Sequence, residues 1–176
     1  MKLLPLRAED AETLWHFEQD NRAFFESWIN ARPASFYTPE GFADELQQCL
    51  HRHTNGTGFH YLVWDGAELV GRINLTHVLR QHFHCASVGY RVAESAQGRG
   101  VAGYALAAVM HEAFHTHDLH RLEATARPEN AASAHLLRKH GFVQFGHSRR
   151  SMELQGQWFD MLHFEAHAPE SLGTYR

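Results

Sequence analysis

The chain has 176 residues, of which 44% are hydrophobic and 20% charged, so it is expected to fold and is not a disordered, collagen-like or coiled-coil chain. Its 16 lysines and arginines against 20 aspartates and glutamates give a formal net charge of -4, which excludes the overall positive field of proteins that bind nucleic acid or anionic membranes. The two cysteines, Cys49 and Cys85, are too few for a disulfide framework, so we expect a reducing compartment, the cytoplasm.

The amino-terminal segment and the apolar stretches indicate no membrane association. The first apolar residues are followed at once by Arg7, Glu9 and Asp10, which is too early for the hydrophobic region of a secretory signal. No later stretch reaches the roughly 18 apolar residues that a membrane-spanning helix needs. We therefore expect a protein without a membrane anchor.

The first quarter of the sequence is predicted to be mainly helical. A short strand is expected over residues 3–6, followed by a helix with Asp10 as its N-cap. A second helical piece is expected over residues 24–29. The third helix opens at Thr38 and Pro39, because a proline at the first helical position lacks only an N–H that would have no partner there.

The remaining sequence alternates between strands and helices. The predicted strands cover residues 59–64, 68–75, 86–92, 120–126, 142–154 and 158–166. The predicted helices cover residues 100–117 and 130–140. The first two of these strands form a hairpin around Asp65-Gly66, and the last two turn at Gly156. Since no repeat or linker interrupts this order, we expect one α/β domain with a mixed sheet over residues 1–176.

The turn that leads into the predicted helix at residue 100 has the composition of an anion site. Gly98 and Gly100 allow the backbone to fold tightly with several N–H groups directed at one point, and the helix that follows adds the positive end of its dipole. Such a turn binds phosphate, although a glycine-rich turn that only enters a helix is the alternative. The Rossmann pattern G-x-G-x-x-G and the Walker lysine do not occur in it.

This turn resembles a family signature. Gln97-Gly98-Arg99-Gly100-Val101-Ala102 is similar to the Q/R-x-x-G-x-G/A motif of the GNAT acetyltransferases, with Ala102 in place of the last glycine. Three further stretches resemble the ribosomal-protein alanine N-acetyltransferase branch of that family, namely Asn21-Arg22, Arg127-Pro128-Glu129-Asn130 and Gly156-Gln157-Trp158-Phe159-Asp160. The resemblance implies the GNAT fold, which is a mostly antiparallel central sheet with a V-shaped splay and helices on both faces.

The resemblance also implies that the chain binds acetyl-CoA as a co-substrate and requires no metal. In the family, the turn holds the pyrophosphate, and backbone groups of the strand before it hold the pantetheine arm and the thioester. Arg99 and Arg138 are also expected to bind the cofactor, because guanidinium groups pair well with phosphate. The expected cofactor-binding residues are Gly89, Tyr90, Val92, Gln97, Gly98, Arg99, Gly100, Val101, Ala102, Asn130, Ser133 and Arg138.

Two predicted catalytic residues lie at the start of the helix over residues 130–140. Asn130 and Ser133 are three positions apart and therefore share one face of the helix. The resemblance implies that the asparagine contacts the cofactor and that the serine donates a proton to the departing thiolate. The spacing alone leaves open an N-cap role for Asn130 and a surface position for Ser133.

The reaction does not strictly require a general base. A protein α-amine has a pKa of about 8 and is partly neutral at cellular pH, so a water relay suffices for its deprotonation. Relatives have a glutamate where Met152 stands in this sequence. Glu123, the third predicted catalytic residue, and Asp160 are the acidic candidates near the expected cleft. Each is equally suited to pairing with an arginine or with backbone amides.

The expected acceptor is a primary amine, by resemblance the N-terminal α-amine of a ribosomal protein. The alternatives are a small-molecule amine, such as an amino acid, a polyamine or an antibiotic, and a CoA-binding module without turnover. We expect a monomer or a homodimer. The acceptor-binding residues implied by the resemblance are Phe24, Trp28, Tyr61, Asn74 and Asp160. Aromatic residues at such spacings otherwise belong to the core.

A second motif indicates a different chemistry. His111-Glu112-Ala113-Phe114-His115 matches H-E-x-x-H, which on a helix holds zinc between two imidazoles with the glutamate as base for a metal-bound water. A chain with 16 histidines produces this pattern by chance in roughly one sequence in ten. The segment also runs directly into a strand near His120, so a zinc hydrolase is the minor alternative.

Overall fold

The computed structural model describes residues 1–169, which form a seven-stranded mixed sheet with helices on both faces, as predicted. Residues 170–176 of the predicted domain lie outside the described residues. The strands are β1 (Lys2–Pro5), β2 (Phe59–Asp65), β3 (Glu68–Leu79), β4 (Cys85–Val92), β5 (Arg121–Ala126), β6 (Val143–Leu154) and β7 (Gln157–His167). The helices are α1 (Ala11–Asp20), α2 (Arg22–Glu26), α3 (Pro39–Thr54), α4 (Val101–His111) and α5 (Ala131–Lys139).

The sheet is split at its centre. The strand order is β1-β2-β3-β4-β5-β7-β6, and every neighbouring pair is antiparallel except β4 and β5. These two parallel strands pair only at their beginnings, from Cys85 to Ser87 on the β4 side. β4 then continues to Val92 and β5 to Ala126 without pairing with each other. The V-shaped splay is therefore confirmed, and it leaves backbone groups of β4 available to a ligand.

Side chains alternate between the two faces of the sheet, and different helices cover each face. On one, which we call the α1 face, Arg72 of β3 lies opposite Arg91 of β4, and α1 and α2 pack over them. On the other, the α4 face, Gly71 of β3 lies under Val101 at the start of α4. A Cβ on Gly71 would lie only 3.0 Å from the Arg91 carbonyl oxygen and 3.4 Å from Val101 Cγ1, so glycine lets α4 approach the sheet closely.

Local signals fix the start of α3 but not that of α1. The Thr38 hydroxyl accepts a hydrogen bond from the Gly41 N–H at 3.1 Å, and Pro39 occupies the first helical position, as predicted. Asp10 occupies the N-cap position of α1, as predicted, but its side chain makes no capping hydrogen bond there. Its carboxylate accepts a hydrogen bond from the Arg7 N–H at 2.9 Å, because an additional 3-10 helical turn precedes α1.

The helix predicted over residues 100–117 changes type before its end. α4 stops at His111, and a π-helical turn follows over Glu112–Thr116. The H-E-x-x-H motif therefore straddles two helix types. Within residues 1–169, no helix is both long enough and apolar enough to cross a membrane.

Candidate active site

The turn between β4 and α4 has the backbone conformation of an anion site. Gly98 and Gly100 have φ angles of 73° and 77°, in the left-handed region that favours glycine. A Cβ built on either glycine would meet no non-neighbouring atom of the described chain within 4 Å, so the space over the turn is open. The first N–H groups of α4 have no partner within the helix and carry the positive end of its dipole. The turn therefore fits a pyrophosphate group.

The other residues of the turn hold its shape or lie at its rim. The Gln97 side chain donates a hydrogen bond to the Val92 carbonyl oxygen at 3.0 Å and so ties the turn to the end of β4. Val101 is buried, and Ala102 packs partly buried against the core. Arg99 forms an ion pair with Asp65 of the β2–β3 hairpin, with both side chains about half exposed. An ion pair at the surface is weak, so a phosphate can compete for Arg99.

The start of α5 lies across the splay from β4. Asn130 is the N-cap of α5, and its side-chain oxygen accepts a hydrogen bond from the Ser133 N–H at 3.1 Å. The Ser133 hydroxyl lies 2.7 Å from the hydroxyl of Tyr90 on β4. Burial raises the pKa of the Tyr90 phenol, although the hydrogen bond with Ser133 opposes this rise. Two predicted site residues from opposite arms of the splay are thus joined.

The unpaired part of β4 borders open space. Gly89 lies beyond the last residue of β4 that pairs with β5, and a Cβ built on it would meet no non-neighbouring atom within 4 Å. Asn74 of β3 lies opposite Gly89 on the α1 face, and its side chain interacts with the buried imidazole of His60.

Glu123 and Asp160, the two acidic candidates, are both engaged. Glu123 forms an ion pair with Arg121 at 2.6 Å and lies in the last residue pair of β5 with β4, before the two strands separate. The Asp160 carboxylate accepts a hydrogen bond from the Arg150 N–H at 2.8 Å and lies 2.7 Å from His147 Nε2. These two hydrogen bonds hold the pKa of Asp160 below its usual range. A carboxylate of lowered pKa is a poor general base.

Arg138 does not approach the turn over residues 97–102, which we call the phosphate turn. It donates a hydrogen bond to the side-chain oxygen of Gln144 at 2.9 Å. The residues of α5 that approach α4 are Leu136 and His140, which come within 3.6 and 3.5 Å of a Cβ built on Gly103. Arg138 lies between them in sequence and therefore on the opposite side of the helix. The sequence predicted a basic side chain of α5 at the turn, whereas the α5 side chain that approaches the first turn of α4, at Gly103, is the imidazole of His140.

The predicted aromatic acceptor residues lie at three different depths. Tyr61 is a core residue, only 4% exposed, whose hydroxyl lies 2.5 Å from His117 Nε2. It lies on the α4 face of β2 and packs in the core, so its ring is not exposed at a surface that could receive an acceptor. Phe24 is partly buried against the core. Trp28, by contrast, is 39% exposed and follows α2 directly.

Trp28 belongs to a mouth at the open end of the splay that we define by Trp28, Arg127 and Phe159. The Arg127 guanidinium, directly after β5, lies 5.9 Å from the Trp28 ring centre and 3.7 Å from that of Phe159. Nearby, the Gln155 side chain in the β6–β7 turn donates a hydrogen bond to the Glu26 carbonyl oxygen at 3.4 Å. Sequence reasoning missed Arg127 and Phe159 as site residues, because only the fold brings them to Trp28.

A buried charge cluster under α1 also escaped the sequence analysis. The Glu18 carboxylate is completely buried, and three guanidinium groups surround it: Arg72 at 2.6 Å, Arg91 at 2.8 Å and Arg32 at 3.2 Å. Burial alone would raise the pKa of Glu18, but the three arginines outweigh it and hold the pKa below its usual range. The only sequence signal was a glutamate on the apolar side of α1, four residues after Leu14.

The H-E-x-x-H segment has no metal-binding arrangement. His111 and His115 are exposed, and their rings stack with centres 4.3 Å apart. Among residues 1–169, no group of three or more histidine, cysteine, aspartate or glutamate side chains is placed to hold a metal ion. The geometry at this segment gives no support to the zinc alternative.

Comparison with known proteins places this site in a family. The acetyltransferase (GNAT) domain model matches residues 1–143. The chain is 31% identical over 153 residues to the [ribosomal protein uS5]-alanine N-acetyltransferase of Escherichia coli, covering 86% of this chain and 79% of the relative. Among solved structures, it is similar to the ribosomal-protein-S5-alanine acetyltransferase of Vibrio fischeri, with a TM-score of 0.90, 27% identity and coverage of 96% and 93%. It is also similar to Mycobacterium smegmatis RimJ in complex with CoA-disulfide, with a TM-score of 0.85, 28% identity and coverage of 94% and 81%.

Proposed function

The chain belongs to the GNAT acetyltransferase family and is an acetyl-CoA-dependent N-acetyltransferase, and we propose that its acceptor is the N-terminal α-amine of a protein. A ribosomal protein is the expected acceptor, since the relative from Escherichia coli is named for the alanine of ribosomal protein uS5. Within this chain, the observation that carries the proposal is the positively charged, aromatic acceptor side of the splay.

The charges on that side oppose a polycationic acceptor. In the cluster around Glu18, three guanidinium groups share one carboxylate, which leaves two positive charges unmatched. At the mouth, Arg127 forms an ion pair with the more exposed Glu129 at 3.3 Å. A polyamine would bring several positive charges into this field and be repelled. A peptide brings one amine, and its carbonyl groups accept hydrogen bonds from arginine.

The residues of the splay can provide what acetyl transfer requires. Acetyl-CoA supplies the acetyl group as an activated thioester. The turn at residues 98–100 offers N–H groups and the α4 dipole to the pyrophosphate, and the unpaired β4 backbone near Gly89 offers groups to the pantetheine arm. The Ser133 hydroxyl, held at the start of α5 by the Asn130 cap, is available as a proton donor to the sulfur.

No carboxylate is needed to activate the amine. An α-amine with a pKa of about 8 is partly neutral at cellular pH, so water is a sufficient proton acceptor. Met152, at the position where the family resemblance implies a glutamate base, pairs with Phe159 across the hairpin and cannot accept a proton. This also favours an α-amine over a lysine side chain, whose pKa is about 10.4.

The proposal is tested with three acceptors and one protein preparation. Binding of acetyl-CoA is first measured by calorimetry, and we expect one saturable site per chain. CoA release is then followed with a peptide that has a free N-terminal alanine, with the same peptide N-terminally blocked but carrying an internal lysine, and with spermidine. We expect turnover with the first peptide only.

Three other results would each favour one of the alternative functions. A preference for spermidine would replace the protein acceptor by a small-molecule amine. Binding of acetyl-CoA without turnover on any acceptor would indicate a CoA-binding module. Loss of turnover on chelation would favour metal chemistry at His111 and His115, whereas we expect a chelator to have no effect.

A further inference from the structure

The hydroxyl groups of Tyr90 and Ser133 are hydrogen-bonded to each other. This contact indicates a role for the Tyr90 side chain, in addition to the expected role of its backbone in cofactor binding. We propose that Tyr90 is the proton source behind Ser133, so that a proton passes from the Tyr90 phenol through the Ser133 hydroxyl to the CoA sulfur as the thiolate leaves. The inference rests on the proposed acetyl transfer, because that reaction creates the thiolate. It makes Tyr90 a positioning and proton-supplying residue that acts through Ser133.

The geometry supports a hydrogen bond between the two hydroxyl groups. The 2.7 Å separation of the two oxygens is the usual length of an O–H···O hydrogen bond. Ser133 is fixed in the first turn of α5, because its N–H is bonded to Asn130 Oδ1. Ser133 has a single hydroxyl hydrogen. When Tyr90 donates to the Ser133 oxygen, that hydrogen is left for an acceptor inside the splay.

The relative acidities give the pair its direction. A phenol has an ordinary pKa of about 10, and an aliphatic hydroxyl such as that of serine is a weaker acid. A serine that gave up its proton alone would leave an alkoxide, which is unfavourable in a partly buried site. With Tyr90 as donor, the Ser133 oxygen regains a proton as it loses one.

The step balances in atoms and charge. The amine nitrogen forms a bond to the acetyl carbon, the carbon–sulfur bond breaks, and its electron pair remains on sulfur. Sulfur takes the Ser133 hydroxyl proton, and Ser133 takes the Tyr90 proton. The phenolate of Tyr90 then regains a proton from water, which in turn receives the proton lost by the amine. No oxidant, reductant or further reactant is needed.

The surroundings of Tyr90 keep the phenol protonated until it is needed. The causes that act on its pKa are burial, which raises it, and the hydrogen bond to Ser133, which lowers it less. No charged side chain of the described chain contributes to this shift. The phenol is therefore expected to remain neutral at the mildly alkaline pH at which a free thiol ionises.

The first test compares four variants with the unmodified chain: Tyr90→Phe, Ser133→Ala, the double variant, and Tyr37→Phe as a control. Tyr37 is also partly buried and in contact with aromatic rings, but it lies in the first quarter of the chain. We expect Tyr90→Phe and Ser133→Ala each to lower kcat by about 100-fold with little change in KM for acetyl-CoA. The double variant should be no slower than Ser133→Ala, since both substitutions interrupt one path.

The second test does not depend on the acceptor. At pH 9.5, CoA and desulfo-CoA, which lacks the sulfur, are compared by calorimetry. A hydroxyl that donates to the thiolate makes CoA bind more tightly than desulfo-CoA, by about tenfold for one charge-assisted hydrogen bond. We expect Tyr90→Phe to reduce this preference as Ser133→Ala does, and Tyr37→Phe to retain it.

The two readouts separate the failure of this inference from the failure of the proposed function. If the chain binds CoA but acetylates nothing, the proposed acceptor is wrong, and the sulfur preference still decides the role of Tyr90. The inference is overturned if Tyr90→Phe keeps the sulfur preference. It is likewise overturned if the double variant multiplies the two single losses, or if Tyr90→Phe acts only by raising KM for acetyl-CoA, as a packing residue would.

Discussion

The two sides of the splay are built in different ways. On the cofactor side, the glycine-rich turn over residues 97–102 and the Asn130 cap each come from one short stretch of sequence. The hydrogen bonds made by the Gln97 and Asn130 side chains span only a few residues, although Arg99 reaches Asp65 across 34. On the acceptor side, the Glu18 cluster joins α1 to β3 and β4 across more than fifty residues of sequence, and the Gln155 contact with Glu26 spans still more. Backbone-mediated binding therefore has a local signature, whereas a side-chain pocket depends on the completed fold.

The largest expected effect on stability comes from removing the negative charge of Glu18 on the acceptor side. Glu18→Gln leaves three guanidinium groups without their buried carboxylate, and we expect the free energy of unfolding to fall by about 3 kcal/mol. Urea unfolding measures this directly. Glu26→Gln is the control, because its ion pair with Arg22 at 2.8 Å is partly exposed and should contribute less than about 1 kcal/mol. Equal losses in the two variants would contradict a structural role for the cluster.

A change on the cofactor side should instead remove binding with less effect on stability. Gly100→Glu puts a side chain at a φ of 77° and a negative charge where the pyrophosphate is expected, so the Kd for acetyl-CoA should rise by about 100-fold or more. Gly56→Glu is the matched control, with a φ of 67° in the loop between α3 and β2. Retained affinity in Gly100→Glu would remove the turn from the cofactor site.

The mouth is tested by a substitution that spares the cofactor side. Trp28→Ala removes the ring beside Arg127, and we expect KM for the acceptor peptide to rise about fivefold while KM for acetyl-CoA stays the same. Steady-state kinetics with each substrate varied in turn measures both values. Trp158→Ala is the control, since Trp158 is 61% exposed on β7 and lies outside the mouth as defined. A matching rise in the control would show that Trp28 has no special part.

The smallest expected effect is a pH dependence of stability from beneath the acceptor side. Burial lowers the pKa of His60, which is 4% exposed, to about 4, whereas an unfolded chain binds the proton at about 6.5. Between these values the unfolded state binds more protons, so the free energy of unfolding falls as the pH falls from 6.5 towards 4. His60→Gln should lessen this loss when Tm is measured at pH 7 and pH 5.

The control for this measurement is His16→Gln, at an exposed position on α1, which should leave the loss unchanged. Part of the loss should persist in His60→Gln, because burial also lowers the pKa of His117 to about 4. An unchanged pH dependence in His60→Gln would mean that His60 does not contribute to it.

Most secondary structure and the tight turn at Gly98 and Gly100 could be predicted, since their causes are local. A glycine at positive φ, a proline after a threonine cap and an asparagine at a helix start each act within about one turn of chain. The N-cap position of Asp10 was predicted, but its hydrogen bond was not, because a short 3-10 turn directs its carboxylate to the Arg7 N–H. Roles that depend on which side of an element faces a neighbour were less predictable, as Arg138 and Tyr61 illustrate.

The sequence by itself determined the order of strands and helices and the glycine-rich turn before α4, because hydrophobic periodicity and backbone preferences depend on neighbouring residues. The GNAT fold followed from the resemblance of that turn and of three further stretches to the family. Only the tertiary structure decided that Tyr90 meets Ser133, that Glu18 gathers three arginines, and that Arg127 lies between two aromatic rings. Those contacts join residues far apart in sequence, and their stability depends on burial and low local dielectric, which exist only once the sheet and its helices have packed.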